Sequence, residues 1–410
     1  MSCWDAASLQ YVKGLGADYI WYTGIPRHAS GKDFVKGNPG SPYSISDWKD
    51  INPYLADCEE NRMEEFQNLV SRTHDAGLGC IIDFIPNHVA RDYYGPLEHY
   101  NHCDYDWTDT VKVNWNSPAT RKEAAEILRF WASRGVDGFR CDMVELVSAE
   151  ALKELISAVK RDFPDLLFIA EVYNKDNYRT YINAGFDLLY DKSGAYDILR
   201  GIICHGRSAR DLTRNWQSLQ DMQPQMLNFL ENHDEQRAAS KFFAGSAAKT
   251  WAALAYALLF NDASFLLYFG QEAGENASEG HQGRTSIFEW SKPATISRLY
   301  AQIHGESGLN ADEAGVLARY SQMLSLAATP LFRKGSCWDL CYCQKEGSGF
   351  CHQTHSAFLR YGAEGACAVV CNFSDAVLKA DVFIPAEPLG EERMVSVEAA
   401  AWDCAIVPIS

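Results

Sequence analysis

Three carboxylates stand at the ends of short apolar runs. Asp142 closes Gly138-Phe139-Arg140-Cys141-Asp142, Glu171 follows Phe168-Ile169-Ala170, and Asp234 closes Glu231-Asn232-His233-Asp234. A fourth, Asp83, lies in a run that continues into Pro86-Asn87-His88. Carboxylates brought together in this way suit metal-assisted hydrolysis or glycoside hydrolysis, where one attacks the anomeric carbon and another protonates the leaving oxygen. Arg140 favours the second chemistry. It lies two residues before Asp142, so both side chains leave an extended strand on the same side. A guanidinium there keeps Asp142 ionised, as a nucleophile must be. Glu171 follows apolar residues, and a drier setting raises a carboxyl toward the range a general acid needs. A metal-first site more often shows clustered His and Asp ligands than an arginine beside its key aspartate.

The elements that must position these groups alternate. Strand-like runs are expected at 18–23, 79–85, 136–142, 166–171, 186–190, 225–230 and 265–270. Between them lie helical patterns. Ala124, Ile127, Leu128 and Trp131 recur at helical spacing ahead of Gly135, and Leu152, Leu155, Ile156 and Val159 share one face behind the N-cap candidate Ser148. Repeated βα units imply a parallel sheet covered by helices, and four of the seven runs carry polar residues where a βα barrel gathers its chemistry. A closed (β/α)8 TIM barrel needs eight strands. The first strand is missing from the pattern, ahead of a helix over the first 17 residues: either the barrel is open, another segment fills the gap, or the chain starts one βα unit late. From residue 335 short extended runs take over, at 356–360, 366–372 and 381–384. The expected architecture is an α/β barrel over 1–334, with a short excursion at 89–118, and an antiparallel β-sandwich domain over 335–410.

Composition sets the limits. The 410 residues carry a net charge of −17, which argues against nucleic acid or an anionic membrane as partner. No apolar window approaches the ~20 residues of a membrane span. Thirteen cysteines form no disulfide framework and no zinc spacing. Cys80 and Cys141 read as core residues, and Cys341 and Cys343, near Cys337 and Cys351, as a weak metal knuckle. Unpaired thiols and the absence of a leader at Met1 point to a cytoplasmic setting.

Taken together, the segments Asp83-Phe84-Ile85-Pro86-Asn87-His88, Gly138-Phe139-Arg140-Cys141-Asp142, Glu171 and Asn232-His233-Asp234 resemble, in order and spacing, the four motif regions of the α-amylase family, family 13 of the glycoside hydrolases. Trp21-Tyr22-Thr23-Gly24, Gly40-Ser41-Pro42-Tyr43 and Gly283-Arg284-Thr285-Ser286-Ile287-Phe288 resemble the α-amylases of Bacteroides-type gut bacteria. The resemblance implies Asp142 as nucleophile, Glu171 as general acid and then base, and Asp234 as the third carboxylate, which binds sugar hydroxyls. Arg140 would orient the nucleophile, His88 and His233 would hydrogen-bond the sugar, Tyr43 would stack on it, and Asp83 would organise the arginine. The implied function is retaining hydrolysis of α-1,4 links in starch or malto-oligosaccharides by a monomer that needs no cofactor for chemistry. A transglycosylase or isomerase of the same family is an alternative, as is a glucan-binding barrel made inactive by the missing strand. Asn87 matches a ligand of the family's structural calcium, which Asp106 or Asp109 would complete; Glu145-Leu146, where many members have Lys-His, departs from that site. Trp290 and Trp338 are candidate sugar platforms for which core packing is the better reading.

Overall fold

A computed structural model of the chain describes residues 1–285 and 291–409. Ser286, Ile287, Phe288 and Trp290 therefore lie outside the described residues. The chain divides into two compact units, one of residues 1–190 and one beginning at Asp191.

The first unit is built from βα repeats. Its parallel strands are β1 (Tyr19–Tyr22), β2 (Gly79–Phe84), β3 (Gly138–Cys141), β4 (Leu167–Ala170) and β5 (Leu188–Tyr190), neighbours in chain order. Strand register aligns their polar ends. Asp83 on β2 pairs with Arg140 on β3, and Cys141 on β3 pairs with Ala170 on β4. Asp142 and Glu171 are thus each the first residue past matched strand ends.

The helices between strands form where periodicity places them. The helix Pro118–Ala132 starts on Ser117, whose hydroxyl accepts from Ala119 N and Thr120 N, with proline in the first turn where its missing N–H costs nothing. It buries Ile127, Leu128 and Trp131. Each contributes about 1.5–3 kcal/mol of apolar burial. Gly135, at φ 90°, then takes the left-handed turn that stops it. The helix Ala149–Lys160 is capped by Ser148 and buries Leu152, Leu155, Ile156 and Val159. Its last residue, Lys160, reaches Asp187 at 2.7 Å, tying the helix to the segment entering β5. The excursion after β2 contains a small hairpin, His88–Ala90 against Thr110–Lys112.

The second unit holds β6 (Met226–Phe229) and β7 (Ser264–Leu266), which pair in parallel. The helix Trp251–Leu259 is apolar nearly all round and buried accordingly. Next in the chain are β8 (Ser336–Asp339), β9 (His355–Gly362), β10 (Gly365–Asn372), β11 (Leu378–Ile384), β12 (Arg393–Ala399) and β13 (Cys404–Ile409). β8, β9, β10 and β13 form one antiparallel sheet in that order, and β11 and β12 a second. Leu359, Val370, Val382, Ile384 and Val397 from both sheets share one core, as in a sandwich. Sequence patterning missed β8, β12 and β13. β13 carries Pro408, which a strand tolerates at a sheet edge, where β13 lies.

The seven βα strands lie where expected, with most ends trimmed by one or two residues, while β7 starts one residue early and stops four short of the expected end. All thirteen cysteines are free thiols, and Cys80 and Cys141 are buried. Among the described residues no helix is long and apolar enough to cross a membrane.

Candidate active site

Arg140 is the centre of the site in the first unit. Its side chain is 0% exposed, on a strand buried on both faces. Nη1 lies 2.5 Å from Asp142 Oδ1 and 3.7 Å from Asp83 Oδ1, while Nη2 lies 2.8 Å from Glu171 Oε1. Nε donates to the Tyr190 hydroxyl at 3.3 Å. The guanidinium also sits over the rings of Trp21, Tyr190 and Tyr43, at 5.2, 5.5 and 5.7 Å from their centroids. A planar fork with several donors can serve three carboxylates at once; an ammonium cannot. The neighbouring carboxylates hold the guanidinium firmly charged despite its burial.

Asp142 stands just past β3, its backbone N–H donating to Phe84 O at 2.9 Å. Met143 comes next in a left-handed conformation, φ 44°, which costs a non-glycine residue about 1–3 kcal/mol. That turn aims the Met143 N–H at Glu171 Oε2, 2.8 Å away. Glu171 accepts a further hydrogen bond from the Tyr173 hydroxyl at 2.8 Å. The apolar surroundings expected around Glu171 are therefore not what its carboxyl meets. It is buried, but two donors, the Met143 N–H and the Tyr173 hydroxyl, bond its oxygens, and the Arg140 guanidinium lies beside it. Glu145 fixes the next segment: it accepts from Tyr173 N at 2.7 Å and from Asn177 Nδ2 at 2.7 Å.

Asp83 is buried and accepts from the Tyr43 hydroxyl at 3.4 Å. Tyr43 reaches it from a loop whose Gly40 has φ 127°, where a Cβ would meet Ala29 O at 2.2 Å. His88 is 5% exposed. Burial pushes its imidazole down to about 4, so it is neutral at ordinary pH. The structure thus brings Asp83, Arg140, Asp142 and Glu171 together, with Tyr43 on Asp83. Sequence reasoning missed Tyr190, Trp21, Tyr173 and the Met143 N–H. Tyr190 had a signal, as a polar residue at a strand end.

His233 and Asp234 belong to the second unit. The Asn232 side chain accepts from Asp234 N at 2.8 Å, and His233 Nε2 lies 3.1 Å from Asp234 Oδ2. His233 is buried while the Asp234 side chain is 39% exposed. The turn carrying them is clamped from behind. Glu231, buried, pairs with Arg237 Nη1 at 3.0 Å and accepts from Ala238 N. Arg237 in turn donates to Phe269 O and Thr285 Oγ1, each at 2.9 Å. Burial pushes the Glu231 carboxyl up to about 7, against the pull of Arg237.

The oxygens expected near a calcium are paired within the chain. Asp104 beside Asn87 accepts from Asn87 Nδ2 at 2.9 Å and from Lys112 Nζ at 3.0 Å. Asp109 faces Lys36 Nζ at 3.6 Å, and the same ammonium donates to Asp106 O at 2.9 Å. The Asn87 Oδ1 is buried without a hydrogen-bond partner. Among the described residues no three His, Cys, Asp or Glu side chains form a metal-binding group, at the Cys337–Cys351 region or elsewhere. The Cys341 thiol instead accepts from Ala357 N at 3.2 Å.

A family model described as alpha amylase, catalytic domain, matches residues 6–109 and 94–355. Alpha-amylase 3 of Dictyoglomus thermophilum is 27% identical over 294 residues, covering 60% of this chain and 56% of the relative. The human amino acid transporter heavy chain SLC3A1 is 27% identical over 239 residues, covering 47% of this chain and 31% of the relative. The chain thus spans little more than half of the first relative and a third of the second. An alpha-amylase from Lactobacillus plantarum of known structure superposes with a TM-score of 0.70 at 20% identity, covering 99% of this chain and 94% of that one. That likeness is one of fold: a TIM barrel followed by antiparallel β sheets.

Proposed function

Since the chain belongs to the alpha-amylase catalytic-domain family, we propose that it is a retaining glycoside hydrolase that opens α-1,4-glucosidic bonds of starch or malto-oligosaccharides. The observation that carries the proposal is the shared guanidinium: Arg140, without exposure, holds both Asp142 and Glu171 at the ends of adjacent strands. In this reading Asp142 attacks the anomeric carbon while the bond to the leaving oxygen breaks and Glu171 gives that oxygen a proton. A glycosyl-enzyme results. Glu171, now a carboxylate, takes a proton from water, whose oxygen displaces Asp142 from the opposite face. Two inversions return the starting anomer.

The roles differ because the contacts differ. Asp142 keeps its place on Nη1 and its charge. Glu171 needs a proton for the first step, so its contact with Nη2 must loosen once a sugar excludes water from the site. Asp234 and His233 enter on motif position alone, as binders of sugar hydroxyls; in the first unit Tyr43 and His88 contact the sugar. Soluble α-glucan is the partner.

Asp142→Asn and Glu171→Gln test the assignment. Each should lower kcat on maltoheptaose by about 10⁴-fold or more while thermal unfolding stays cooperative. Turnover within tenfold of the parent in a folded Asp142→Asn chain would sink the assignment.

A further inference from the structure

Two thiols stand opposite each other in the second unit, where the proposed chemistry does not use them. Cys371, near the end of β10, pairs in register with Cys404, the first residue of β13. The strands are antiparallel, so opposed side chains leave the sheet on the same face. The ladder fixes what kind of pair this is. Asn372 N donates to Asp403 O at 2.8 Å, so the neighbouring pair is the hydrogen-bonded one. Cys404 N turns away from β10 and donates to Asp403 Oδ1 at 2.8 Å. Cys371 and Cys404 are therefore a non-hydrogen-bonded pair, the closer of the two kinds, with Cα atoms about 4.5 Å apart. A disulfide spans Cα separations of about 4.4–6.8 Å.

Both backbones are held in place. Cys371 is flanked on its other side by β9, where it pairs with Ser356. The turn ahead of Cys404 is pinned by three contacts. Arg319, on the helix Ala311–Ala327, donates to Asp403 Oδ1 at 2.7 Å; Trp402 Nε1 donates to Asp375 Oδ1 at 2.7 Å; and Trp402 O accepts from Ala252 N at 3.0 Å. Joining the two sulfurs thus needs side-chain rotation and no backbone movement. Nearby cysteines are placed differently. Cys367 faces Pro408 and Cys337 faces Arg360 across their strands.

From this we infer that Cys371 and Cys404 are a dithiol couple that closes to a cross-strand disulfide when the chain meets a small disulfide such as oxidised glutathione. Cys371 is fully buried and Cys404 half-buried, so Cys404 reacts first. Its thiolate attacks one sulfur of the oxidant and expels one glutathione thiolate. Cys371 then gives up its proton and attacks Cys404 Sγ, expelling the second glutathione. Two protein thiols are oxidised, one glutathione disulfide is reduced to two thiols, and two electrons pass between them. Burial pushes the Cys404 thiol up to about 12, against the pull of the Arg319 guanidinium, whose Nη2 lies 3.9 Å from Sγ. Thiolate is therefore scarce at neutral pH and the closure is slow. The bond ties β10 to β13 around the segment 372–403, which carries β11 and β12, so both ends of the second sheet are held to the first.

The test is overnight incubation of the whole folded chain with oxidised glutathione at pH 8. Remaining thiols are then alkylated, the chain is cleaved without reduction, and the peptides are weighed by mass spectrometry. The expected result is a peptide pair joined through Cys371 and Cys404 as the principal cross-link, two hydrogens lighter than its parts and released by dithiothreitol. The joined chain should melt about 5 °C above the reduced one. Cys371→Ala with Cys404→Ala should remove both the cross-link and the shift. Recovery of both thiols alkylated would overturn the inference, as would Cys404 carrying glutathione beside an alkylated Cys371. A spread of cross-links no richer in this pair than that of the chain oxidised in concentrated urea would also overturn it. A joined pair with no rise in melting temperature would refute the hold on the second sheet.

Discussion

Replacing Arg140 by lysine keeps the charge and removes the fork. In the parent, Nη1 meets Asp142 at 2.5 Å and Nη2 meets Glu171 at 2.8 Å. One ammonium at the end of an unbranched stem reaches one of these carboxylates and leaves the other buried without its partner. A charge-assisted hydrogen bond contributes about 1.5–3 kcal/mol. An uncompensated buried charge raises the loss toward the 3–5 kcal/mol of a broken buried pair. With one positive charge retained, Arg140→Lys should cost about 2–4 kcal/mol at pH 7.5. The orphaned carboxyl then prefers its proton. Its folded form binds a proton more tightly than its unfolded form, so its contribution is present at low pH and lost as pH rises. The gap between variant and parent should therefore narrow at pH 5. Urea denaturation of both chains at the two pH values measures this. A lysine variant within about 0.5 kcal/mol of the parent at pH 7.5, the range of a surface change, would refute the shared-guanidinium reasoning.

Three more outcomes are expected from buried groups. His88 is held down to about 4 by burial, below its unfolded value; the stability tied to its neutral form is present above the ordinary histidine range and lost as pH falls from there toward 4. Ring resonances tracked by NMR should titrate near 4, and a midpoint near 6.5 would contradict this. Glu231, raised to about 7 by burial, works in the opposite sense: its contribution is present below the ordinary glutamate range and lost as pH rises through about 7. Glu231→Gln should flatten the fall in melting temperature between pH 5 and pH 8, whereas parallel profiles would exclude that titration. Arg360, 0% exposed, donates to Phe260 O at 3.1 Å, Phe332 O at 2.7 Å and Gly335 O at 2.6 Å. Arg360→Met leaves these carbonyls without that donor and should cost about 3 kcal/mol or more in thermal unfolding; a loss under about 0.5 kcal/mol would contradict it.

The βα strands and their helices were legible because burial on both faces leaves continuous apolar runs, and because Ser117, Ser148 and Gly135 mark helix ends by local chemistry. β8, β12 and β13 were not. β8 and β13 are short, half-buried and pair with residues distant in sequence; β12 alternates in burial but buries only Val397 and Ala399, small residues that give a weak apolar signal. In the site, the spacing of Arg140 and Asp142 predicted a shared face, and register delivered Asp83 and Glu171 to it. The surroundings of Glu171 were illegible. Its apolar neighbours in sequence point away along the strand, while its donors, Arg140, the Met143 N–H and Tyr173, come from a neighbouring strand and two turns. The lysines at Asp104 and Asp109 escaped notice for the same reason, since Lys36 lies some seventy residues before the oxygens it serves.

The most direct test of the proposed mechanism is the anomeric configuration of the first product. Maltoheptaose is incubated with the purified chain and the reducing end formed at the cleavage site is monitored by proton NMR before mutarotation. Double displacement through Asp142 predicts that the α-anomer appears first and decays to the equilibrium mixture. A β-anomer appearing first would contradict a glycosyl-enzyme at Asp142 and the reading of the Arg140 cluster built on it.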